Sequence, residues 1–160
     1  MSIEQPPLVR GTYRLSVGGD DIDVAVAAAH AFLSRAYWCE GIPFETLARA
    51  IAQSLCVAVH AQGQGQVGFA RVVTDRATFA YLCDVYVLEA HRGQGLAAWM
   101  LQSLLAHPDL QGLRRFMQFT RDAHPLYARH GFQGLATPER GMEVVRPGMY
   151  LLTTALASHA

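Results

Sequence analysis

In Val85-Tyr86-Val87-Leu88-Glu89-Ala90-His91-Arg92-Gly93-Gln94-Gly95-Leu96-Ala97 an apolar, β-branched strand gives way to a short polar loop and then to the start of a helix. Gly93 and Gly95 remove the Cβ atoms that would hold a ligand away from the backbone. A helix starting there presents unpaired N–H groups and the positive end of its dipole, which favours a pyrophosphate. Two other phosphate motifs compare poorly. The nucleotide P-loop needs Lys and a hydroxyl residue after its last Gly, and Leu96-Ala97 follows Gly95. Gly93-x-Gly95-x-x-Ala98 fits the dinucleotide fingerprint in its letters, but that motif belongs at the first turn of repeated βαβ units. Here strands with antiparallel spacing come first. A tight turn without a ligand is the plain alternative.

Upstream, Phe79–Val87 is dense in aromatic and β-branched residues and reads as a central strand. Before it, Cys56, Val57 and Val59, a Gly63/Gly65 turn, and the alternating Val67, Phe69, Arg71 and Val73 read as a hairpin, with a second turn at Thr74–Ala77. Further back, Tyr13–Val17 is a short strand ending at Gly18-Gly19. Asp20, Asp21 and Asp23 offer N-caps for a helix over Val24–Arg35. Pro43 opens a second helix, with Phe44, Leu47, Ala48, Ile51 and Leu55 on one stripe. Downstream, Leu96, Met100, Leu101, Leu104 and Leu105 share a helical face until His107-Pro108 breaks it. Arg115–Thr120 then reads as a strand, Pro125–Arg129 as a short helix with Asp122 as its cap, and Phe132 onward as one or two strands around Pro138–Gly141.

The order β-α-α-β-β-β-α-β-α-β implies an α/β chain of the α+β type: a mixed, mostly antiparallel sheet of about six to seven strands flanked by about four helices. The 160 residues suit one domain, with 1–10 and 148–160 as loosely held tails. Composition is globular, 51% hydrophobic and 16% charged, and no stretch reaches the ~18–20 apolar residues of a bilayer span. Met1–Arg10 lacks the basic flank and apolar run of a secretory signal, so a cytoplasmic protein with no membrane partner is expected. Thirteen basic and thirteen acidic residues leave no field to draw in nucleic acid. Cys39, Cys56 and Cys83 form no short pair and read as buried thiols. The seven histidines include no His-Glu-x-x-His, and His124 and His130 do not share a helical face, so no metal is assigned. No Gly-x-Ser-x-Gly elbow supports a serine hydrolase.

Arg92-x-x-Gly95-x-Ala97, five residues after the Val that ends a central strand, resembles the Gln/Arg-x-x-Gly-x-Gly/Ala motif of the GNAT acetyltransferases. Leu126-Tyr127-Ala128-Arg129-His130-Gly131-Phe132 is similar to the family's second signature, a Tyr-bearing helix running into Gly-Phe. The likeness covers about residues 10–145. It implies a GNAT fold and transfer of an acetyl group from acetyl-CoA, as co-substrate, to a primary amine in a ternary complex. A catalytically silent acyl-CoA-binding module of the same fold is the alternative.

Carried onto this sequence, the resemblance places pantetheine along the backbone of Val85, Tyr86 and Val87. The pyrophosphate falls on the amides of Arg92, Gly93, Gln94, Gly95, Leu96 and Ala97. It gives Tyr127 the task of protonating the departing thiolate, and a phenol is protonated at neutral pH. The main-chain N–H of Val85 is placed to stabilise the oxyanion. Arg92 is a phosphate partner or a solvated arginine. Thr120 stands where many members have Asn and is a weaker coenzyme contact.

Asp84 is the one carboxylate in its apolar strand. It sits where spermidine/spermine-type members carry an acid, and either orients the amine or is bonded to main chain. Tyr37, Trp38 and Phe44 lie in the segment that borders the acceptor pocket in the family. A small-molecule amine outranks a protein acceptor on the shortness of the chain. Homodimers are common among relatives, though no residue here demands one.

Overall fold

The computed structural model describes residues 7–18 and 24–152. Six strands lie side by side in chain order, β1 (Leu8–Arg10), β2 (Tyr13–Val17), β3 (Leu55–Ala61), β4 (Gly65–Thr74), β5 (Phe79–Val87) and β6 (Arg115–Gln118). Every pairing is antiparallel except β5 with β6. The parallel pair requires a crossover, which α3 (Leu96–Leu105) provides. Helices α1 (Val26–Leu33) and α2 (Phe44–Ala52) precede β3, and α4 (His124–Ala128) follows β6.

Helices cover both faces of the sheet. Ala29 and Leu33 of α1 and Leu47 and Ile51 of α2 pack with Cys56, Phe69 and Tyr86. Leu96, Met100, Leu101 and Leu104 of α3 and Tyr127 of α4 pack on the other face, against Leu15, Val57, Val59, Val72 and Leu82. The helical stripe predicted in α3 is therefore the core contact. His107 and Pro108 end it as expected, with the C-cap at Ala106 and a 3₁₀ turn at Pro108–Leu110. Gln66, buried on β4, accepts from the Ala25 amide ahead of α1 and donates to the Tyr86 hydroxyl, joining that helix start to β5. The aspartates expected to cap α1 at Asp20, Asp21 and Asp23 lie outside the described residues.

A break in regularity at Asp84 matters more than the sheet itself. Register runs Phe69 opposite Tyr86 and then Arg71 opposite Cys83, so Asp84 and Val85 together face the single residue Ala70. Asp84 has φ +57°, a left-handed conformation that an L-residue adopts only under constraint. This β-bulge reverses the alternation of β5: Leu82 packs on the α3 face, whereas Tyr86 packs on the α1/α2 face.

Several expectations need correction. Leu8–Arg10 is an edge strand paired to β2 rather than a loose tail. The second helix ends at Ala52, and Leu55 begins β3 instead of continuing its stripe. No strand follows α4 among the described residues: Phe132 onward is irregular apart from a 3₁₀ turn at Pro138–Arg140 and a helical turn over 149–152, which lies in the expected loose tail. Gly131, Gly134, Pro138, Gly141 and Pro147 interrupt that segment too often for a ladder, and Gln133–Met149 is exposed throughout. Among the described residues no helix is long and apolar enough to cross a membrane.

Candidate active site

β6 pairs with β5 only from Phe79 to Leu82, and β5 then runs on to Val87. From Cys83 to Val87 no described strand pairs with the edge of β5 that faces β6. The two strands part there, and a cleft of about 870 Å³ opens between them. Its walls are Leu82–Val87 on one side and Phe119–Ala123, Leu126, Tyr127 and Arg129 on the other. Strand edges unpaired inside a cleft are ready to bind an extended ligand through main-chain hydrogen bonds.

The glycine loop closes one end of this cleft. Arg92, Gly93, Gly95, Leu96 and Ala97 line it, and Gln94 alone of that run does not. Gly95 is the N-cap of α3 at φ +73°, and Gly93 has φ +78°. A Cβ on Gly93 would meet no atom within 4 Å, and one on Gly95 would approach only Arg10 Nη1, at 3.9 Å. Backbone conformation, not local crowding, thus requires these glycines, and the space above them is open. With no side-chain cap on α3, its first amides point to that space. Arg92 donates from Nε to the Val87 carbonyl at 3.1 Å, which fixes its stem and leaves its two Nη groups for an anion. His91, just ahead, is held at both ring nitrogens, by the Tyr13 hydroxyl at 2.9 Å and the Gln64 Oε1 at 3.0 Å. That anchors the loop to the sheet.

Tyr127 comes from α4 and is buried, its ring edge-on to Phe132. Its hydroxyl makes no hydrogen bond among the described residues. Burial first, and then the neighbouring Tyr37 phenol, raise its pKa above the usual tyrosine value. Tyr127 is accordingly a neutral donor throughout the physiological range. Thr120 lines the cleft, but its hydroxyl accepts from the Ala123 amide at 3.0 Å and so fixes the entry to α4. The expected cap, Asp122, instead faces Arg121 at 3.8 Å on the exposed rim.

Asp84, Tyr37 and Trp38 line the cleft opposite this donor group. Phe44 does not: it is exposed at the start of α2 and packs edge-on against His30 at 5.5 Å. Asp84 accepts from Trp38 Nε1 at 3.0 Å and from Arg71 Nε at 2.8 Å, one oxygen each. Arg71 continues to the Ser54 hydroxyl at 3.1 Å. Burial, the largest single influence, works to lower the pKa of the Arg71 guanidinium, but the raising influences together, Asp84 first among them, hold the group above its ordinary value. Sequence reasoning took Arg71 for an ordinary member of an alternating strand. Its signal was there, since it is the one basic residue in β4 beside the one acidic residue in β5.

Burial pushes the thiols of Cys39, Cys56 and Cys83 up to about 12. None is a thiolate near neutral pH, so none is an activated nucleophile, although Cys83 lines the cleft. Among the described residues no group of three or more His, Cys, Asp or Glu is placed to hold a metal.

Known proteins share this arrangement. Residues 51–134, more than half of the chain, match the family model of the acetyltransferase (GNAT) domain. A candidate acetyltransferase of Gibberella zeae is 35% identical over 76% of this chain and 78% of its own. The crystal structure of a candidate GNAT acetyltransferase from Xanthomonas campestris pv. campestris is 46% identical, with a TM-score of 0.80 over 85% of this chain and 96% of that one. An acetyltransferase fold from Clostridium acetobutylicum, solved with acetyl-CoA, shares the architecture at 19% identity, with a TM-score of 0.59 over 83% of this chain and 94% of its own. The six-stranded mixed sheet, the parted β5–β6 edge and these matches agree: the chain belongs to the GNAT acetyltransferase family.

Proposed function

We propose that this protein is an acetyl-CoA-dependent N-acetyltransferase that acts on a primary amine of a small molecule, both substrates meeting in the one cleft. The observation that carries this reading is the edge of β5 from Cys83 to Val87 that no described strand pairs with, which leads directly to the open Gly93–Gly95 helix start. Pantetheine amides suit the strand edge, and a pyrophosphate suits the amides of α3 with the free Nη groups of Arg92. The Clostridium acetobutylicum structure holds acetyl-CoA in the same fold, which supports the choice of co-substrate.

In the proposed reaction the amine nitrogen attacks the thioester carbonyl, the C–N bond forms, and the C–S bond breaks. The bound ammonium first loses one proton to water to become the neutral nucleophile, and the nitrogen loses a second as the amide forms. Tyr127 donates a proton to the departing sulfur and is restored by that second proton. Val85 follows the Asp84 bulge and lines the cleft, and its N–H is the group we assign to the developing oxyanion. Asp84 keeps a lone pair on each oxygen beyond those used by Trp38 and Arg71. A carboxylate so restrained suits holding and orienting an ammonium better than removing its proton, which leaves through water. With no cysteine thiolate in the cleft, direct transfer is favoured over an acetyl-cysteine intermediate.

The test is thiol release from acetyl-CoA with and without a panel of primary amines, alongside calorimetry of coenzyme binding. Amine-dependent release is expected. Tight coenzyme binding with no release for any amine or protein lysine would make the chain a silent acyl-CoA-binding module instead.

A further inference from the structure

Resting on the acetyltransferase reading, we infer that the acceptor is a monoamine with an aromatic body, an arylalkylamine in type, and not a polyamine. The acceptor side of the cleft has two aromatic walls. Tyr37 and Trp38, from the segment between α1 and α2, meet edge-to-face at 5.0 Å. Tyr81 of β5 and Phe119, just past β6, form a second pair at 6.1 Å. Tyr37 is 56% exposed, Trp38 43% and Phe119 70%, which leaves large apolar surface facing the cleft and water. A flat apolar body between these walls would cover that surface and gain ring contacts besides.

The charges select further. Asp84, at the cleft floor, is already balanced by Arg71, so the pair offers a hydrogen-bonding anchor with no surplus negative charge. The other acidic residue of the lining, Asp122, stands on the solvated rim against Arg121. Arg121 in turn lies over the Tyr37 ring at 4.1 Å and brings positive charge to the mouth. A first ammonium finds Asp84. A second ammonium finds the Arg121 guanidinium already over the Tyr37 face that could have received it, and no carboxylate of the lining without a guanidinium beside it.

The test uses the full chain at saturating acetyl-CoA, with initial rates of thiol release for 2-phenylethylamine and tryptamine against putrescine and spermidine. The aromatic amines are expected to exceed both polyamines in kcat/KM by about 10-fold or more, as one well-stacked ring contributes. Phe119→Ala removes a ring that is 70% exposed and pairs with the Tyr81 ring, so little packing is lost and folding is expected to be preserved. It is expected to raise KM for 2-phenylethylamine by about fivefold while the calorimetric Kd for acetyl-CoA stays put. Spermidine or putrescine turned over as well as the aromatic amines, or an unchanged aromatic KM in Phe119→Ala, would overturn the acceptor assignment and leave acetyl transfer standing. Absence of release with every amine would instead remove the acetyltransferase reading beneath it.

Discussion

The Arg71 guanidinium on β4 holds the Asp84 carboxylate on β5, Nε to Oδ2 at 2.8 Å, at the position where β5 bulges and lines the cleft. One ion pair therefore secures both a strained backbone and the floor of the acceptor site. Asp84, at φ +57°, sits in a conformation that costs on the order of 1–3 kcal/mol and persists because its side chain is tied down by Arg71 and Trp38.

Removing one partner should separate these roles. Arg71→Gln leaves a buried carboxylate without its cation and is expected to lower the free energy of unfolding by about 3 kcal/mol in urea titrations. Asp84→Asn keeps the shape and can still accept from Trp38 through Oδ1, while its N–H₂ cannot accept from Arg71. It is expected to reduce turnover by about tenfold or more while the affinity for coenzyme A is nearly unchanged. Loss of coenzyme binding in Asp84→Asn would detach the residue from the acceptor.

At the glycine loop, Gly93→Ala and Gly95→Ala should each cost about 1–2 kcal/mol of stability, since both positions have positive φ. Gly93→Ala should also weaken acetyl-CoA binding by more than its stability loss suggests, because its Cβ would enter the open space above the helix start. Calorimetry of each variant below its unfolding temperature measures this. Unchanged affinity in Gly93→Ala would move the phosphates elsewhere.

Tyr127→Phe should reduce kcat by about 100-fold and leave the Kd for acetyl-CoA within a factor of two. Because burial raises the pKa of this phenol, its donating form persists as pH rises through the ordinary tyrosine range. The Tyr127 contribution to any basic limb of the kcat profile should therefore fall above pH ~10. A Tyr127-dependent limb near pH 8 would contradict a buried neutral donor.

His107 gives a pH effect on stability that is independent of catalysis. Burial lowers its pKa, with Arg76 adding to the shift and Asp109 opposing it. The unfolded chain binds this proton below about pH 6.5, while the folded chain resists it, so stability should fall as pH drops from there toward the lowered folded value. Below that value the His107 contribution levels off. Thermal unfolding of His107→Gln should show a shallower slope between pH 6.5 and 5 than the parent.

Much of this was legible in the sequence. Phe79–Val87 was bounded correctly because aromatic and β-branched residues fill it and turn residues flank it. The Gly93–Gly95 helix start was legible because two glycines without Cβ atoms stand between an apolar strand and a helical stripe, and both take positive φ. Tyr127 followed from the resemblance of its helix to the family's second signature. The bulge at Asp84 left no trace, because reversing faces within β5 exchanges one apolar wall for another. The Arg71–Asp84 pair had a signal in composition, the one basic residue of β4 and the one acidic residue of β5, but its cross-strand register follows from the bulge and cannot be counted from either strand alone. β1 is three exposed residues long and offers no alternation to read. The one or two strands expected from Phe132 onward around Pro138–Gly141 do not form among the described residues, because a strand forms no ladder without a partner. Phe44 was given to the acceptor because the resemblance has its segment border that pocket; here Phe44 begins α2 and packs on His30 instead.

The central claim is that β5 beyond Leu82 and the amides after Arg92 receive one coenzyme along their length. A crystal structure of the protein with acetyl-CoA tests it most directly. The account predicts pantetheine hydrogen-bonded to main chain between Cys83 and Val87, the pyrophosphate on the amides from Gly93 to Ala97, and sulfur within reach of the Tyr127 hydroxyl. Coenzyme bound away from the β5 edge, or crystals that take up none at saturating concentration, would contradict it.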